Sequence, residues 1–205
     1  MQIMLERPRP AGPPKYEAKG LFNRMIRAAK LDASLYEEVE IDPAATLQAL
    51  TVVVLASVCS GIGGGLKPLI FGRLPAGMRI LKFFTNLVVG SLLALILWGI
   101  WSFITYFIGT TIFGGEATYE ELLRCIGFSD SPGVLFLFSF IPLLGPLISF
   151  TASIWSLIAM VIAVRQALDF STGKAILTCV IGWVAIVILL VIMGILIALP
   201  FFLLL

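Results

Sequence analysis

The residues with the most chemistry in this chain sit in one polar block between two long apolar stretches. The block runs Gly114-Gly115-Glu116-Ala117-Thr118-Tyr119-Glu120-Glu121-Leu122-Leu123-Arg124 and continues to Pro132. It holds the charges Glu116, Glu120, Glu121, Arg124 and Asp130. Adjacent carboxylates beside an arginine are raw material for general acid–base work, because each charge shifts its neighbour's proton affinity. Two other sets stand out. Arg165, Gln166 and Asp169 close an apolar stretch, where charge is costly and often kept for function. Ser60-Gly61-Ile62-Gly63-Gly64-Gly65 has the glycine density of a phosphate-cradling loop.

The glutamate pair and the glycine loop fail as catalytic centres on their own residues. The glutamate pair invites comparison with the membrane-embedded CAAX-type proteases, which set an arginine three residues after a double Glu and use downstream histidines. Here two residues separate Glu121 from Arg124, and the chain has no histidine. Without histidine the commonest general base and the commonest imidazole metal ligand are both missing. The glycine loop lacks the Gly-Lys-Ser/Thr ending of a nucleotide site, and Lys67 is followed by Pro68. Gly61 and Gly65 instead make a small-xxx-small pair that lets helices approach closely, as do Gly194 and Ala198. Cys59, Cys125 and Cys179 have no Cys-x-x-Cys spacing and read as small apolar fillers. No cofactor, metal or catalytic residue is expected.

Composition names the solvent. Of 205 residues, 60% are hydrophobic and 13% charged, with a mean hydropathy of +1.06. Soluble domains carry about 25% charged residues, so the partner of this surface is a lipid bilayer. A net charge of +2 argues neither for nor against nucleic acid, and with no basic, aromatic-interleaved stripe no nucleic-acid partner is expected.

Charge-free windows locate the spans. They cover 43–66, 83–115, 131–164 and 175–205, with lengths of 24, 33, 34 and 31 residues. A crossing helix needs about 20 residues. Ile141-Pro142-Leu143-Leu144-Gly145-Pro146 interrupts the third window, since the two prolines break a helix. The window then divides into a short helix over 132–143 and a full one over about 147–170, which makes an all-α, polytopic bundle of five transmembrane helices. The alternative is four spans with a re-entrant first segment, which places Lys67, Arg73, Arg79 and Lys82 inside and suits the positive-inside rule better. The five-span arrangement gives an N-terminus inside and a C-terminus outside. Trp98, Trp101, Tyr106, Trp155 and Trp183 fit interface anchors or helix packing.

Three regions result: a Pro-rich disordered tail over 1–20, an amphipathic helix with an acidic lead-in over 21–43, and the bundle over 44–205. The N-terminus has no apolar signal-peptide core, so no cleaved leader is expected. Leu21, Phe22, Met25, Ile26 and Ala29 recur at helical spacing, with Arg24, Arg27 and Lys30 between them. Such a helix either lies on an anionic leaflet or packs on the protein. Asp32, Glu37, Glu38, Glu40 and Asp42 follow, with Asp42 and Pro43 placed to cap and start the first span. The strip Tyr36, Glu37, Glu38 and Glu40 is a candidate partner surface. Tyr119, Glu120 and Arg124 join it on a short amphipathic interface helix, Thr118 to Ile126. Asn86, Pro142, Arg165 and Asp169 form a candidate intramembrane polar site, with Gln48 a further buried polar residue. Arg165 and Asp169, four apart, are expected to share a helix face.

Two blocks of this chain resemble the Yip domain family, membrane proteins first known for interacting with Rab-type GTPases. One is Phe22-Asn23-Arg24 with Leu35-Tyr36-Glu37-Glu38-Val39-Glu40. The other runs from Thr105-Tyr106 and Gly109 through the polar block to Gly127-Phe128 and Ser131-Pro132-Gly133, followed by Ile141-Pro142 to Gly145 and Arg165 to Asp169. The resemblance is to prokaryotic-type members. It implies five transmembrane helices, a cytosolic N-terminus, a bacterial cytoplasmic membrane and a non-enzymatic role. Eukaryotic relatives hold partners in vesicle trafficking. Their Asp-Leu-Tyr-Gly-Pro block is not present here, Leu35-Tyr36-Glu37-Glu38 being the nearest match, so a Rab-type partner is not carried over. The resulting expectation is a membrane scaffold or adaptor with a protein partner at the N-terminal segment and a homo-oligomeric option. A small transporter or channel with a site at Pro142–Pro146 is the alternative.

Overall fold

The computed structural model describes residues 20–203. The tail expected over 1–20 therefore lies outside the described residues, apart from Gly20. Seven α-helices and one 3-10 helix follow: α1 Leu21–Ala29, α2 Ala33–Glu40, α3 Ala45–Phe71, α4 Ala76–Thr111, α5 Tyr119–Ser129, the 3-10 helix Ser131–Phe140, α6 Leu144–Ala167 and α7 Thr172–Leu203. Five segments are long and apolar enough to cross a membrane. They are α3, α4, α5 continued by the 3-10 helix, α6 and α7. The chain is an all-helical, five-span membrane protein.

The first window is a continuous helix, so the re-entrant alternative falls. The glycines that suggested it serve two neighbours at once. A Cβ on Gly61 or Gly65 would meet Leu87 or Phe83 of α4, and one on Gly63 would meet the Phe136 carbonyl of the 3-10 helix. Helix α3 is thus pressed between α4 and the 3-10 helix along its glycine-rich faces. One of the basic residues that favoured four spans, Arg79, has local work. Arg79 donates to the carbonyls of Leu69 and Ile70 at 2.7 and 3.0 Å, satisfying acceptors at the end of α3.

The third crossing starts earlier than the charge-free window indicates. It begins at Tyr119, so the short interface helix expected over Thr118 to Ile126 is its first half. Eleven α-helical and ten 3-10 residues reach about 36 Å, enough for a hydrocarbon core of about 30 Å. This is the most inward of the five spans. Its charges are accommodated by position. Thr118 and Glu121 form a reciprocal capping box, and Arg124 is taken up by backbone carbonyls described below. The short helix expected over 132–143 is the 3-10 helix, which ends at Phe140.

Between Phe140 and Leu144 the chain reverses. Leu143 takes φ 66° and is 95% exposed. A Cβ on Gly145 would lie 2.0 Å from the Ser139 carbonyl, so only glycine permits this turn. Pro142 and Pro146 are both exposed at it.

Helix α6 ends in a Schellman motif: the Phe170 N–H reaches the Arg165 carbonyl at 2.9 Å and the Asp169 N–H reaches that of Gln166 at 3.1 Å. Asp169 sits at φ 52°, past the helix end. This corrects the expected Arg165–Asp169 pairing on one helix face. Among the described residues they form no ion pair, and Arg165 donates instead to Gln166 at 2.9 Å. Because Asp169 is exposed and left-handed, Asp169→Gly is expected to stabilise the fold by roughly 1 kcal/mol, read as a raised unfolding midpoint in mild detergent.

Candidate functional site

The polar chemistry collects at one end of the bundle, where α1 and α2 dock. Five antecedent features build it. Helix α2 starts at Asp32, whose carboxylate accepts from the Ser34 N–H at 3.0 Å. Asp42 does the same for the Ala44 N–H at 3.0 Å, so α3 starts at Ala45, two residues later than a cap at Asp42 implies. Helix α1 ends in a second Schellman motif, with Leu31 at φ 61°. These turns fold the basic helix back on the acidic one. The Ala29 carbonyl accepts from Trp155 Nε1 of α6 at 2.7 Å. The Tyr36 carbonyl accepts from Cys125 Sγ of α5 at 3.5 Å.

Arg24 lies at the centre, with 1% of its surface exposed. It donates to Glu38 at 3.0 Å, Gln48 at 2.9 Å and Asp42 at 2.7 Å. Arg27 donates to Asp32 at 2.8 Å, Glu38 at 2.5 Å and Ser34 at 3.0 Å. Two guanidinium forks therefore hold α1, α2 and the start of α3 together. Burial alone would raise the Glu38 carboxyl, but the hydrogen bonds from Arg27 and Arg24 outweigh it and hold the group below its usual range.

Arg124 forms a second clamp. Its Nε donates to the Val39 carbonyl at 2.9 Å, its Nη2 to that of Glu40, and its Nη1 to Thr46 at 3.5 Å. The carbonyls that end α2 are thereby satisfied by a cation, as a helix C-terminus favours.

The partner-surface residues divide by these contacts. Tyr36 is wholly buried, and its hydroxyl has no hydrogen-bond partner among the described residues. Glu38 and Arg124 are buried in the two clamps. Tyr119 is half-buried and donates to the Gly99 carbonyl at 3.2 Å. Facing outward are Glu37, Glu120 and, half-exposed, Glu40. Glu37 accepts from Gln166 of α6 at 2.8 Å. Sequence reasoning placed Arg24 and Arg27 on the polar side of a helix lying on a leaflet or packed on the protein, and missed the clamps. The signal was present as a basic helix directly followed by an acidic one.

Glu40 reports how closely the remaining acids converge. Its carboxyl is pushed up to about 7, first by burial and then by the charges of Glu121 and Asp169. Three elements thus turn carboxylates toward one place. A raised carboxyl favours the folded state in its protonated form. Its contribution is complete below about pH 4.5 and fades as pH rises through about 7. Glu38, held low, acts with the opposite sign and loses its contribution as pH falls. Glu40→Gln is therefore expected to flatten the stability-versus-pH curve between those two values, read by unfolding across a pH series.

The intramembrane set is not brought together. Asn86 is exposed on the flank of α4. Pro142 precedes α6, and Arg165 lies near its other end, about 30 Å away along the helix axis. Two apolar hollows open elsewhere. One of about 790 Å³ lies between α6 and α7 and is lined by Trp101, Val161, Cys179 and Trp183. The other, about 460 Å³, lies between Leu31 and α6. Among the described residues no group of three or more His, Cys, Asp or Glu is placed to hold a metal ion.

A capped polar helix fused into the third span, behind an N-terminal pair of docked helices, is the arrangement in which the two resembling sequence blocks meet. A family model described as the Yip1 domain matches residues 34–199, most of the chain. The chain belongs to the Yip1 domain family. No curated protein and no solved structure matches it. The Yip1 match takes in α2 and every span, and begins just after α1. Within it lie Arg124, Tyr36 and the Gly63 contact, so the second clamp and the glycine-packed α3 are built from family-matched sequence. Arg24 and Arg27, from the first clamp, come from outside it.

Proposed function

We propose that this Yip1 domain protein is a non-enzymatic membrane adaptor that presents a fixed acidic platform to a basic segment of a partner protein. The observation that carries the reading is the docking of α2. Two clamps immobilise the helix, yet Glu37, which accepts from Gln166, and half-exposed Glu40 still face solvent beside Asp169. Fixed like charges steer an oppositely charged partner and suppress wrong ones. A transport site at Pro142–Pro146 has no comparable support, since Asn86, Pro142, Arg165 and Asp169 lie apart.

In this reading the N-terminus and the platform are cytoplasmic and the C-terminus is outside. Five spans then put the α3–α4 turn outside. A cysteine at Ala76 is expected to react with an impermeant maleimide on intact cells, and an epitope inserted after Gly115 to stay hidden. The reverse pattern overturns the orientation.

The adaptor role is tested by affinity purification of the intact protein from native membranes, against Glu37→Lys/Glu40→Lys/Asp169→Lys. The expected result is a protein that co-purifies with the native chain and is lost from the variant, at equal membrane yield. Identical recovery with both chains removes the platform from the mechanism.

A further inference from the structure

Helix α1 is turned inside out relative to an ordinary surface helix. Its arginines point into the protein beside Met25, while two of its large apolar residues, Phe22 and Ile26, point away. Phe22 is 73% exposed and Ile26 56% exposed. They are four residues apart and so share one face. Asn23 and Lys30 flank that face, both exposed. A helix docked on a water-facing surface would bury Phe22 and Ile26 and expose the guanidiniums.

The depth of α1 is fixed by a neighbour. The bond from Trp155 Nε1 to the Ala29 carbonyl pins the end of α1 twelve residues in from Ala167, the last residue of α6. That is about 18 Å along the span. Immediately beyond it, Leu31 lines a hollow with Phe150, Thr151, Ile154 and Ile158 of α6. Phe150, Ile154 and Ile158 are exposed apolar residues of a crossing helix, so lipid covers them. Leu31 shares that surface and must share its solvent.

Charge is the usual obstacle to placing such a helix in a leaflet, and here it is removed. Arg24 is neutralised by Glu38 and Asp42, and Arg27 by Asp32 and Glu38. Lys30 is left at the rim, where a long stem can carry its ammonium toward the headgroups.

From this geometry we propose that α1 is embedded in the leaflet on its side of the bilayer, with Phe22, Ile26 and Leu31 against acyl chains. Its hold on the membrane is apolar. It does not depend on anionic headgroups, because the basic residues of the helix are spent on the protein's own carboxylates. An interfacial helix that binds through a basic face would require them. This inference is independent of the adaptor reading, whose test concerns α2 and its partner.

The test uses the full chain in vesicles, with Cys59 replaced by alanine and Cys125 and Cys179 left buried. A nitroxide is attached at Phe22→Cys and, separately, at Ile26→Cys. Phe150→Cys serves as the lipid reference and Glu116→Cys as the aqueous one. Collision with oxygen, which partitions into acyl chains, is compared with collision with a water-soluble nickel chelate. Both α1 sites are expected to match Phe150, with equal ratios in zwitterionic phosphatidylcholine and in vesicles containing an anionic lipid. A ratio matching Glu116 overturns the proposal. So does shielding from both reagents, the signature of coverage by a second copy or by the chain's own N-terminal residues. Lipid-like ratios found only with anionic lipid overturn the charge-independent hold.

Discussion

Gly63→Ala is expected to lower the stability of the bundle by about 3 kcal/mol, while Gly64→Ala, one residue away, leaves it unchanged or raises it. The two positions share a helix and a sequence context. They differ in what stands opposite. A Cβ at Gly63 would lie 1.9 Å from the Phe136 carbonyl oxygen and 2.5 Å from Ser139 Oγ. At Gly64 nothing lies within 4 Å. The obstacle at Gly63 is backbone, which cannot swing aside as a side chain does, so α3 and the 3-10 helix must separate along their contact. Gly64→Ala meets open space and gains helix propensity, roughly 0.5–1 kcal/mol. Unfolding of both variants in mild detergent reads the difference. Equal midpoints would show that α3 does not pack on the 3-10 helix as described. The 3-10 geometry sharpens the test. Runs beyond three or four residues are uncommon because their hydrogen bonds are poorer, so this ten-residue stretch relies on its neighbours. Loss of the α3 contact removes the nearest of them.

What the sequence made legible follows from which forces have a one-dimensional signature. Apolar windows and the Pro142–Pro146 break were enough for five spans, because lipid imposes length and composition residue by residue. The start of the third span was not legible. A charge count treats Glu120, Glu121 and Arg124 as exclusion from the membrane, whereas a capping box and carbonyl acceptors absorb them. Asp169 misled for a related reason: a spacing of four means a shared face only while the helix continues, and Ala167 ends it. The Arg24 clamp was hidden most deeply. Periodicity identified α1 as amphipathic, yet cannot say which face turns inward. That depends on Glu38, Gln48 and Asp42, reached only once the chain folds back at Leu31. Gln48, marked out as a polar residue in an apolar stretch, was one visible end of that network.

Arg24→Met is expected to cost about 3 kcal/mol and to release α1 and α2 before the spans unfold. The side chain is close to methionine in length, so the change removes charge and donors more than volume. Asp42 loses its guanidinium and Gln48 its donor, while Glu38 keeps Arg27. A buried carboxylate deprived of its cation is a larger loss than the pair was a gain, because desolvation remains when attraction is gone. The loss should therefore shrink when the acid is also removed. In a cycle of Arg24→Met, Asp42→Asn and the double variant, the double is expected to lose less than the sum, by about 0.5–3 kcal/mol for residues in contact. Limited proteolysis between α1 and α2 separates local release from global collapse, since the spans hold one another without α1. A variant as resistant as the native chain, with an unchanged midpoint, would show that the clamp does not hold the helices. Arg24→Lys sets the upper bound on charge alone. It keeps the cation but replaces a planar fork with a single ammonium, which cannot meet Glu38, Gln48 and Asp42 from three directions. Its stability should fall between native and Arg24→Met, and the gap to native measures what the fork's geometry contributes to docking the platform.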